Sequence, residues 1–281
     1  MGPSPRLLAM LLACPGCFFP DRGDENPPPP DAPPPDIPGC ITAATRTGAQ
    51  IPLSGTIVDF VTGAPVVGAI VDVTTGWDVD GYVPRAACPL IATFTTGGDG
   101  RFGPLTIDAG STEFPPILLL FVHGGDRGKT SFDIRSSCTS NSSLCDPLDV
   151  SIPAASATLD SAWRSELAAG GMIDAATRSL VAFEFKNTDQ TGAANVIPFE
   201  GNGAPHTLVP NIEVRFLGAD RATIEPTSAT ATTDSGIALV GRDIGTGRID
   251  VGGNRGNERW PNLGCLLASG FTFFEDKTVA P

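Results

Sequence analysis

The chain has 281 residues and a formal net charge of −13. Its lysines are Lys129, Lys186 and Lys277, and so acidic a body argues against nucleic acid and against electrostatic docking to anionic lipid. The 33 glycines and 27 prolines, spread among short apolar runs, suit many short strands better than long helices.

Residues 1–13 read as an export signal, with Arg6 in a short n-region and residues 7–13 (LLAMLLA) as the apolar h-region. Residues 11–14 (LLAC) resemble the bacterial lipobox, which makes Cys14 the candidate lipidated residue; an ordinary cleaved signal is the alternative. Cys14 and Cys17 also form a C-x-x-C pair, but redox chemistry needs that pair at a helix N-terminus after a strand. Residues 14–38 are rich in Pro and Asp, lack apolar periodicity and read as a disordered tether. In polyproline II, at about 3.1 Å per residue, the tether reaches roughly 70 Å.

Residues 39–150 carry the clearest strand pattern. Residues 53–60 (LSGTIVDF) and 69–74 (AIVDVT) flank a Gly/Pro turn at 61–68, and residues 91–96 and 101–105 flank Gly97-Gly98-Asp99-Gly100, a hairpin signal. Residues 117–122 (ILLLFV) and 129–134 add two strands around a Gly-rich turn. The run at 117–122 is strand-length, far below the ~20 residues of a membrane-spanning helix. One helix is expected at 159–169, with Leu159, Trp163 and Leu167 on one face, Asp160 or Thr158 as cap and Gly170-Gly171 as stop. Strands at 180–185, 212–216, 237–240 and 247–251 then repeat the first pattern more weakly, with Asp234-Ser235-Gly236 in the place of the first Asp-Gly turn. The expected fold is all-β: two prealbumin-like or Ig-like β-sandwich domains, 39–150 and 151–281, with one short connecting helix and independently melting cores.

Gly55-Thr56-Ile57-Val58-Asp59, the T-G-x-P-V-x-G-A turn from Thr62 to Ala69, Val71-Asp72-Val73, and Thr95-Thr96 followed by Asp99-Gly100-Arg101-Phe102 resemble the carboxypeptidase regulatory-like domain. The resemblance covers about residues 50–135. It implies a prealbumin-like sandwich, grouped with carbohydrate-binding-like folds, that supports or presents other parts and has no activity of its own. Residues 75–90 (TGWDVDGYVPRAACPL) form a longer insertion than that family usually carries.

Motifs for chemistry are sparse. With His123 and His206 as the two histidines, neither H-E-x-x-H nor a multi-histidine metal site fits within the chain, and His123-Gly124-Gly125-Asp126 reads as a surface turn. Related sandwiches with an intradiol iron site need two tyrosines, and Tyr82 stands alone. No Gly-x-Ser-x-Gly elbow is present, and Asp78-Val79-Asp80-Gly81 lacks the later acidic ligands of a calcium loop. No catalytic residue, metal or cofactor is expected. Beyond Cys14, six cysteines allow fifteen pairings in an oxidising compartment; Cys138 with Cys145 and Cys40 with Cys88 are the candidates, leaving Cys17 and Cys265 paired or free.

The expected protein is an exported, membrane-anchored, non-catalytic lipoprotein of the cell envelope. Its partners would be the lipid bilayer and another envelope protein or a glycan, with no nucleic acid. A carbohydrate-binding module using Trp77 and Tyr82 as a stacking surface is the alternative reading, and an enzyme of unidentified type the third.

Overall fold

The computed structural model describes residues 50–74, 91–108, 117–135, 147–171, 178–200, 212–242, 247–267 and 270–279. The first half holds β1 (Gln50–Asp59), β2 (Ile70–Thr74), β3 (Ala92–Thr95), β4 (Arg101–Asp108), β5 (Ile117–His123), β6 (Thr130–Arg135) and β7 (Leu148–Ala154). Helix α1 (Ala157–Ala169) follows. The second half holds β8 (Ser179–Lys186), β9 (Ile197–Glu200), β10 (Ile212–Phe216), β11 (Ile237–Arg242), β12 (Gly247–Arg255), β13 (Glu258–Leu267) and β14 (Thr272–Thr278). Among the described residues the fold is all-β with one short helix, as the sequence predicts.

The two halves repeat one pairing scheme. β1 runs antiparallel to β4 and parallel to β7, and β8 does the same with β11 and β14. β5 lies antiparallel to β2 and β6, as β12 does to β9 and β13. The match extends to single hydrogen bonds. Thr96 Oγ1 donates to the Val66 carbonyl and accepts from the Ala69 amide; Thr232 Oγ1 bridges the Ala193 carbonyl and the Val196 amide in the same way. The Ile57 amide donates to the Gly100 carbonyl, and the Phe185 amide to the Gly236 carbonyl, both at 2.9 Å.

Gly100 and Gly236 have φ of +73° and +71°, the left-handed backbone expected of these turns. The turn at 97–100 is nevertheless not a hairpin. β3 pairs with β2 in one sheet and β4 with β1 in another, so the chain turns a corner between sheets. Asp-Gly chemistry sets the local backbone reversal, whereas burial of the flanking side chains decides which strand each one joins.

The halves share a sheet. β14 pairs in parallel with β8 from Thr272 to Thr278 and with β6 through Thr272 and Phe273, giving the order β10-β11-β8-β14-β6-β5-β2-β3. The three-stranded sheets β4-β1-β7 and β13-β12-β9 cover this long sheet on opposite faces. On one face Val71, Val73, Leu120 and Val122 meet Leu53, Ile57, Phe102 and Ile152. On the other Val181, Phe183, Phe185 and Phe273 meet Val251 and Trp260. Beside the first core, Trp163 and Leu167 of α1 pack on Leu180, Ala182, Leu239 and Phe274. β8, β11 and β14 are thus buried on both faces, which explains the nearly unbroken apolar run LVAFEF in β8.

Three expectations change here. The halves are not separate bodies, because the last strand of one is a sheet neighbour of the other. The boundary drawn at 150/151 falls inside β7, which pairs with β1 from Leu148 to Ala154. The helix cap also differs: Ser156 Oγ accepts from the Leu159 amide at 3.1 Å, while Asp160 turns inward and is buried.

Candidate functional site

The halves meet at a cleft of about 200 Å³ lined by Val58, Phe60, Ser151, Pro153, Ala182, Glu184, Arg221, Phe274 and Asp276. Phe60, just past β1, leaves its own half and enters the core beneath α1. Its ring lies 5.5 Å from Trp163, edge-on, and 4.6 Å from Phe274.

Arg221 closes the cleft from the second half. Asp220 Oδ1 accepts from the Ala222 and Thr223 amides, and Asp220 Oδ2 accepts from the Thr223 hydroxyl. The Thr223 hydroxyl and these amides hold the Asp220 carboxyl below its ordinary pKa. This tight turn carries Arg221 at φ +62° and sends its guanidinium 4.8 Å above the Phe60 ring. Its two terminal nitrogens donate to Glu184 at 2.7 and 3.1 Å, a bidentate pair. Lys186 pairs with Asp276 at 2.8 Å beside it. With Glu184 already matched to Arg221, the cleft offers apolar contact and a saturated ion pair, and its volume is below the ~300–1,000 Å³ common for small-molecule sites.

A second polar knot holds the junction from the inside. Arg164 Nε donates to Asp160 Oδ2 at 2.8 Å, Arg164 Nη1 to the Arg178 carbonyl at 2.7 Å and Arg164 Nη2 to Thr272 Oγ1 at 3.1 Å. Thr272 Oγ1 in turn donates to Asp160 Oδ1 at 2.6 Å, and the Thr272 amide donates to the Lys129 carbonyl at 2.8 Å. The knot ties α1, the entry to β8, the start of β14 and the entry to β6 together. A Cβ at Gly128 would lie 2.7 Å from that of Asp160, so the close approach of this turn to α1 requires glycine.

Asp59 fixes the turn after β1. It accepts from the Thr62 amide and hydroxyl at 2.9 and 3.0 Å, and from Arg127, the neighbour of Gly128. Burial pulls the Asp59 carboxyl up, but the Thr62 amide, the Arg127 guanidinium and the Thr62 hydroxyl outweigh it, so its pKa lies below the ordinary carboxylate value. A carboxyl depressed on folding stabilises the protein above its unfolded pKa of about 3.9, and that stability is lost as pH falls through the folded value. Asp59→Asn should therefore lower stability at pH 7 and flatten the acid limb below about pH 4. Urea unfolding of both proteins at pH 7 and pH 3 checks this, and an equal loss at the two pH values would contradict it.

The structure does not describe the site residues expected from the sequence. Cys14, Cys17, Cys40, Trp77, Tyr82, Cys88, Cys138 and Cys145 lie outside the described residues, as do His206 and the Asp78-Asp80 loop. Cys265 lies on β13 opposite Ile249. His123 ends β5, with Nε2 2.7 Å from Asp72 Oδ2, while Asp126 faces Arg127, so the His123–Asp126 turn does not converge on a metal. Among the described residues no three His, Cys, Asp or Glu side chains are grouped to hold an ion. Neither the cleft nor the knot announces itself in the sequence. Their residues are far apart in the chain, and Asp160 and Arg164 look like an ordinary i, i+4 surface pair.

No protein-family model and no curated protein matches the chain. Solved structures to which it is similar include the Bacillus anthracis TIE protein, at 7% identity and a TM-score of 0.26, with 83% of this chain and 34% of that one covered. This chain therefore spans about a third of the TIE protein's length. The shaft pilin SpaA from Lactobacillus rhamnosus GG aligns at 11% identity and a TM-score of 0.26, over 84% of this chain and 99% of that one. A 3-chlorocatechol 1,2-dioxygenase from Rhodococcus opacus 1CP aligns at 11% identity and a TM-score of 0.28, over 40% and 61%. Superpositions this loose assign no function.

Proposed function

We propose that the chain is an exported, lipid-anchored and non-catalytic module of the cell envelope. In this reading Cys14 carries the lipid, residues 14–38 are the tether, and the paired sandwiches, of which the first is carboxypeptidase regulatory-like, act as a spacer or interaction body at its end. The observation that carries it is the junction. β14 is hydrogen-bonded into both halves, Phe60 is seated in the far core and Glu184 is matched to Arg221, so the body is built to hold its two ends at a fixed distance. Catalytic clefts between domains commonly close on a substrate, and here the small cleft is bordered by the Glu184–Arg221 pair, which leaves no free charged group facing it from that pair.

The anchor is tested by detergent partitioning. The native chain should enter the detergent phase and Cys14→Ala the aqueous phase, with the folded body unchanged. Equal partitioning of the two into water would remove the anchor. A carbohydrate-binding reading has one observation in its favour: β2 and β3, the strands on either side of residues 75–90 in the chain, form the end pair of the long sheet, with Val73 opposite Ala92. Glycan retention that Trp77→Ala or Tyr82→Ala abolishes would replace the spacer reading with that one.

A further inference from the structure

The four outer strands of the two three-stranded sheets each contain a proline: Pro104 in β4, Pro153 in β7, Pro198 in β9 and Pro261 in β13. A proline has no amide to offer a further strand and so blunts an edge. Pro261 occupies a position whose meaning the internal repeat defines.

The shared threonine bridge aligns Ala69 with Val196, and hence Val71 with Pro198. Val71 pairs with Val122 and Pro198 with Gly253; Val122 pairs with Thr130 and Gly253 with Trp260. Thr130 thus corresponds to Trp260, Lys129 to Arg259 and Ser131 to Pro261. In the first half Lys129 and Ser131 are the residues that join the halves. The Lys129 carbonyl accepts from the Thr272 amide, and the parallel register of β6 with β14 requires the Ser131 amide to donate back to β14. β13 is the outer strand of its sheet among the described residues, and at the corresponding point it presents the exposed Pro261, with no donor.

We infer that Pro261 ends the array. It removes the amide at which a strand from a second copy of this chain would attach beside β13, in the manner in which β14 attaches beside β6. The register of β13 against β12 is regular from Glu258 to Trp260 and shifts just beyond, between Val251 and Gly253, so restoring the donor opens this short stretch of edge to self-association.

Sedimentation velocity of the full chain in nonionic detergent, over about a hundredfold range of protein concentration, tests the inference. The native chain should sediment independently of concentration. Pro261→Ser and Pro261→Ala, which restore the amide with and without a hydroxyl, should each associate about tenfold more tightly, the scale of one edge hydrogen bond. Adding Arg259→Pro, which blunts the same edge one outward position earlier, should return both to native behaviour. Association that Arg259→Pro leaves intact, or Pro261 variants that sediment like the native chain, would overturn the assignment.

Discussion

Gly236→Val is expected to destabilise the protein by about 3–5 kcal/mol, combining a left-handed backbone forced on a β-branched residue with overpacking against main chain. The residue sits at φ +71°, where an added Cβ would press on the Phe185 carbonyl and lie 2.6 Å from the Ala193 nitrogen. Those atoms belong to β8 and the turn after it, in the middle of the second core, and cannot retreat without breaking the bond from the Phe185 amide to the Gly236 carbonyl. Gly100→Val should cost a similar amount, since its Cβ would lie 2.8 Å from the Ile57 carbonyl oxygen and 3.0 Å from the Val66 nitrogen. Denaturant titration of both variants measures the loss. A neutral Gly236→Val beside a costly Gly100→Val would mean that the two corners are not equivalent.

Arg164→Ala should cost about 3–5 kcal/mol, the scale of breaking a buried ion pair and leaving one charge behind. Arg164 and Asp160 are both buried, and removing the guanidinium strands the Asp160 carboxylate with Thr272 as its remaining side-chain donor. Replacing both, as Asp160→Leu with Arg164→Met, should recover much of the loss because no unmatched charge remains. A double variant as unstable as Arg164→Ala would show that the knot acts through specific geometry and not through charge matching.

The parts of this architecture governed by local chemistry were legible in the sequence. The β-rich run at residues 53–60 and the short apolar run at 237–240 became β1 and β11, and Leu159, Trp163 and Leu167 lie on one side of α1. The strands β7, β9, β13 and β14 were not legible: β7 carries Pro153, β9 Pro198, β13 Pro261, and β14 the run Glu275-Asp276-Lys277. Proline is tolerated in the first three because they are edge strands, a tertiary fact that no local window contains. The junction was invisible for the same reason. Phe60 reads as the last residue of a strand, and only the assembled fold places it under Trp163 and brings Thr272 to Asp160. The described residues leave the sequence-derived candidates Trp77 and Tyr82 as proposals, while the cleft and the knot come from the fold alone.

The two sandwiches form one cooperative body, because β14 belongs to both halves, Phe60 crosses between them, and the Thr272 amide of the Asp160–Arg164–Thr272 knot bonds the Lys129 carbonyl. Scanning calorimetry of the Cys14→Ala chain, alone and with Gly100→Val or Gly236→Val, measures this directly. The shared sheet predicts a single transition, with calorimetric and van't Hoff enthalpies equal, that either glycine variant moves as a whole. Two transitions, each displaced by only one of the two variants, would contradict it.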